Sequence, residues 1–109
     1  MPTVPVTITR FIDDDQPGWV ECELTDAAGR TWTFFEKVPI VTSGGLTATS
    51  RYPVTGSISC EVVRREAGPD GTGLTEIDTD RPFGVASVDG KNRFIIPTAT
   101  LVVDREPDS

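Results

Sequence analysis

The 109-residue chain has no histidine, and this absence excludes more chemistry than any residue present suggests. Imidazole ligation of metals, Ser-His-Asp triads and Cys-His dyads all need a side chain that the sequence does not supply. Lysine is nearly as scarce. Lys37 and Lys91 are the only two, and both fall on predicted outward-facing or turn positions, so a Ser-Lys nucleophile is not expected either. The chain reads as a non-enzyme, with no catalytic residues, no metal and no cofactor.

No apolar run approaches the ~18 residues of a membrane span. The opening MPTVPVTITRFIDDD has neither the basic nor the apolar region of an export signal, so the protein is expected to be soluble and cytoplasmic. The only cysteines, Cys22 and Cys60, lie in different predicted strands and read as two reduced thiols filling the core. Cations are outnumbered, with 10 basic against 17 acidic residues and a net charge of -7. Such a surface repels phosphate backbones and anionic headgroups within a Debye length, so neither nucleic acid nor membrane is expected as a partner. Arg64-Arg65 reads as a solvated strand end.

Turn formers, by contrast, are abundant. Ten Gly and nine Pro in so short a chain favour an all-β protein. TVPVTITR places Val4, Val6 and Ile8 on one face, and Pro5 suggests a sheet edge. WVECELTD puts Val20, Cys22 and Leu24 on a dry face and Glu21 and Glu23 on a wet one. If Ala27-Ala28-Gly29 is the loop, with Gly29 left-handed, a hairpin register follows. Asp26 then faces Arg30, Leu24 faces Trp32, Cys22 faces Phe34, Glu21 faces Phe35, Val20 faces Glu36 and Trp19 faces Lys37. Continued to Val38 and Ile40, the same parity puts Glu36 on the inner rim and turns Phe35 and Lys37 outward.

Residues 42–56 read as a long loop carrying the only tyrosine, Tyr52. SISCEVVRRE, LTEIDT, FGVASV and KNRFII follow as strands, with a two-residue Asp89-Gly90 hairpin pairing Val85 with Phe94 and Phe83 with Ile96. TLVVD is a further short strand. The expected object is one all-β domain over residues 1–109, a small antiparallel β-barrel of six to eight short strands with a β-sandwich as the alternative, frayed from about residue 105.

Three motifs bear on ligands. Asp13, Asp14 and Asp15 lack the alternate spacing of a calcium loop and read as a solvated turn. Asp78 and Asp80 have that spacing but sit beside Arg81, as at a strand end. GPDGTG lacks the Lys-Ser/Thr of a phosphate loop and reads as a hairpin turn.

FIDDDQPGWVECELTDAAGR, FFEKVPIV, RYPVTGSISCEV and IDTDRPFGVASVDGKNRF together resemble short uncharacterised bacterial proteins with the same order of Pro-Gly, Glu-Cys, Glu-Lys-Val-Pro, Tyr-Pro and Pro-x-Gly landmarks. That resemblance implies a bacterial single-domain protein and carries no activity. Two functions compete on the residues alone. In the first, an acidic protein-binding module, of an accessory or immunity type, meets another and basic protein through Trp19, Glu21, Phe35 and Lys37, with Tyr52 beside them. In the second, Glu36, Asp13 and Asp15 hold a small molecule or divalent cation at the barrel mouth, with countercharge from Arg51 or Arg81.

Overall fold

Alternation between residues 19 and 37 organises the larger sheet. In the computed structural model, which describes residues 1–103, the chain forms β1 (Thr3–Asp13), β2 (Trp19–Thr25), β3 (Thr31–Lys37), β4 (Val54–Ser59), β5 (Glu61–Ala67), β6 (Gly73–Asp78) and β7 (Arg93–Pro97). The β2–β3 register runs from Trp19 opposite Lys37 to Thr25 opposite Thr31, as the three-residue loop requires. Val20, Cys22, Leu24 and Phe34 are buried, and Trp32 and Glu36 are half-buried on the same side. The expected fraying from about 105 lies outside the described residues.

Two antiparallel sheets result, ordered β3-β2-β1-β4 and β5-β6-β7. They share one core. Val4, Ile8, Cys22 and Phe34 from the first sheet meet Ile77, Phe94 and Ile96 from the second, and the Phe34 and Phe94 rings lie 5.6 Å apart. Burial of one such ring contributes about 2–3 kcal/mol. The expected barrel does not close. β3 and β7 form no ladder; on that side the sheets are tied by single hydrogen bonds from Ala27 N, in the β2–β3 loop, to Ile95 O of β7, and from Val88 N, before β7, to Thr33 O of β3.

Five further expectations change. The run from Ser57 to Glu66 is not one strand but β4 and β5, which leave Cys60 between them and enter different sheets. β3 ends at Lys37, and Val38–Val41 form a helical turn with Val38 and Val41 buried and Ile40 only half-buried. Pro39 explains the switch, because it fits the first helical turn and has no N–H for a ladder. FGVASV is not a strand either. Phe94 and Ile96 pair with Ile77 and Thr75, Phe83 is 56% exposed, and the Val85 carbonyl accepts the buried Thr79 hydroxyl at 2.7 Å. Pro5 is not at a sheet edge, since β1 lies between β2 and β4. It sits beyond the last β1–β2 pair, where its missing N–H costs nothing. Among the described residues of TLVVD, Thr100 ends a 3-10 turn and Val102 forms a bridge with Thr3, in place of a strand.

Candidate functional site

The outer face of the larger sheet carries the side chains expected to meet a partner. Trp19 pairs with Lys37 and Glu21 with Phe35, and the Lys37 ammonium lies 5.6 Å from the Trp19 ring centre. A bulge in β1 between Ile8 and Arg10 brings Arg10 opposite Glu21. Glu21 accepts the Thr9 hydroxyl at 2.7 Å and the Arg10 guanidinium at 3.2 Å. Those bonds, Thr9's first, hold its carboxyl below the usual range. Phe35 remains 46% exposed. Tyr52 does not join this row. Its ring packs against the core and its hydroxyl donates to the Thr47 carbonyl at 2.8 Å.

Of the residues expected at the mouth site, Arg81 stands apart from the acidic ones. Asp13 ends β1, whereas Arg81 lines a cleft with Pro2 and Cys60 at the other end of that strand. Eleven residues at ~3.3 Å each separate the two by roughly 30 Å. Asp13, Asp14 and Asp15 do bring carboxylate oxygens within 4.8 Å of one another, but all are exposed and Asp13 already accepts the Asp15 N–H. Glu36 faces inward on the rim, and burial raises its carboxyl above the usual range against the opposing Lys37 N–H and charge. Arg51 is exposed in the loop before Tyr52. The Asp78 carboxylate is engaged by its neighbours. It accepts the Asp80 N–H and the Asn92 amide and forms an ion pair with the Arg93 guanidinium at 3.6 Å, and the first of these lowers its carboxyl most.

A different concavity was not anticipated. It is a groove of about 840 Å³ over β6 and β7, floored by Leu74, Ile95 and Pro97 and flanked by Trp32 and Lys91. Residues of three turns of one construction line it. In 26–30, 68–72 and 87–91 the first N–H donates to the fifth carbonyl, the fourth N–H donates to the first carbonyl, and the fourth residue is a glycine with φ of +85°, +82° and +82°. This is the three-residue hairpin loop whose left-handed position suits glycine. Asp26 and Ser87 reinforce two of these turns by accepting two backbone N–H groups each. Equivalent fifth positions then bring Arg30 and Lys91 to the Trp32 ring, at 4.2 and 5.1 Å from its centre. The signal was present in the sequence as DAAGR and SVDGK, two like-spaced turns ending in a cation, although only the first was read as a three-residue loop.

No protein-family model, curated protein or solved structure matches the chain.

Proposed function

We propose that the protein is a non-catalytic binding module that docks a basic protein on the outer face of β2 and β3. The observation that carries this reading is Phe35, 46% exposed in the sheet and flanked across the ladder by Glu21 and along it by Lys37 and the Trp19 pair. An exposed aromatic ring ringed by charge supplies the apolar anchor and polar rim of an interface. The charge around it favours a cationic partner, because Asp13, Asp14, Asp15, Glu21 and Glu23 outnumber Arg10 and Lys37. Two sheets packed as a small open sandwich provide a rigid platform, and two buried thiols suit a cytoplasmic setting. An accessory or immunity-type role, in which an acidic face covers a basic target, fits this geometry.

The test compares immobilised wild type with Phe35→Ala in capture from lysate of the source cells. A basic protein retained by the wild type, released as salt rises and lost with Phe35→Ala at unchanged Tm supports the reading. A partner that survives Phe35→Ala overturns it, and so does a fall in Tm that makes the ring structural.

A further inference from the structure

We infer that the turn-framed groove over β6 and β7 binds a small organic anion with an aromatic body, such as an aryl carboxylate. Its volume of about 840 Å³ lies in the range of small-molecule sites. The floor is apolar. Leu74, Ile95 and Pro97 form it, and the half-buried Trp32 indole offers a stacking edge at one side.

Charge chooses the ligand's sign. Asp26 is already committed to three donors: the Ala28 and Arg30 N–H groups and the Trp32 Nε1–H. Glu76 pairs with Arg64 at 3.2 Å and Arg93 with Asp78 at 3.6 Å. Asp70, at the exposed lip, caps its own turn through the Thr72 N–H. Lys91 differs. Its ammonium is held 5.1 and 5.7 Å from the Trp32 and Phe94 ring centres, with no carboxylate within ion-pair distance among the described residues. A protein of net charge -7 thus presents an unspent cation at the aromatic wall of this groove. An aryl group on Leu74 and Ile95, with its carboxylate toward Lys91, satisfies both surfaces.

The test is a titration of ¹⁵N-labelled protein with 2-naphthoate, and with 2-naphthalenemethanol as the neutral comparison. Naphthoate is expected to shift the Trp32 indole N–H and the Ala27, Lys91 and Ile95 amides saturably, leaving the Trp19 indole unmoved. Lys91→Gln and the neutral compound are each expected to weaken binding about tenfold. Lys91 is exposed, so the substitution is expected to leave the fold intact, which the unperturbed remainder of the spectrum verifies. Absence of saturable shifts at about 10 mM overturns the proposal, as does equal binding of the alcohol or indifference to Lys91→Gln. Phe35→Ala is expected to leave the naphthoate shifts unchanged, so failure here and failure of the docking face are separable.

Discussion

The Trp32 indole Nε1–H donates to Asp26 Oδ2 at 2.9 Å, tying the last residue before the β2–β3 loop to the wall of the groove. The same carboxylate receives the Ala28 and Arg30 amides through its other oxygen. One side chain therefore fixes both the turn and the ring.

Asp26→Ala is expected to cost about 2 kcal/mol by urea unfolding, because several donors lose a charged acceptor at once. Burial alone would raise this carboxyl, but the bonds from Trp32, Arg30 and Ala28 overcome it and lower it below the ordinary 3.8. A lowered carboxyl stabilises the fold above the unfolded value, and that contribution is lost as pH falls through the folded value. Asp26→Asn, which keeps an acceptor without the charge, is expected to cost less and to remove this acid dependence.

Glu36 has the opposite sign. Its carboxyl is raised by burial above the ordinary 4.5, so the charged form is penalised in the folded state and the penalty is relieved as pH falls through the folded value. Glu36→Gln is expected to raise Tm at pH 7, with the difference shrinking as pH is lowered toward 4.5. Thermal melts at both pH values check this, and a gain that persists unchanged in acid contradicts it.

Gly56 sits where β4 passes under the helical turn. A Cβ there would stand 2.7 Å from the Ile8 Cδ1 and 2.7 Å from the Val41 carbonyl oxygen. The side chain could move, but the backbone oxygen could not without displacing the turn. Gly56→Ala is expected to destabilise by about 1–3 kcal/mol, read as a lower urea midpoint.

Burial pushes the Cys22 thiol up to about 12 and the Cys60 thiol up to about 11. Thiolate is the reactive form, so neither residue is expected to react with a disulfide reagent at pH 8 in the native protein, while both react once urea unfolds it. Native labelling at the rate of a free thiol would contradict the burial of either residue.

What the sequence made legible followed from local rules. The β2–β3 register came out residue for residue, because alternation and a glycine in the left-handed position determine it together. Ser87 hid the second hairpin. Its hydroxyl lengthens the Asp89-Gly90 turn by one residue, and Thr79 captures the Val85 carbonyl, so the flanking segment is held by loop bonds rather than by a ladder. Division of residues 57–66 between two sheets was invisible for a different reason. Alternating Ile58, Cys60 and Val62 describe a dry face without saying which sheet it belongs to. The exposed row at Phe35 was readable from parity, whereas the groove needed three distant turns to converge, which no local pattern encodes.

Because β4 runs through the buried Cys60 into β5, the two sheets are joined by continuous chain on one side and clasped on the other by the Ala27 and Val88 amides. A further tie runs from the chain after β7 back to β1, through the paired Thr3 and Val102 hydrogen bonds. Ala27 and Val88, each held by a single bond outside any ladder, are therefore expected to exchange with deuterium before the ladder amides of either sheet, and a molecule seated beside Ala27 would act as a latch between the two.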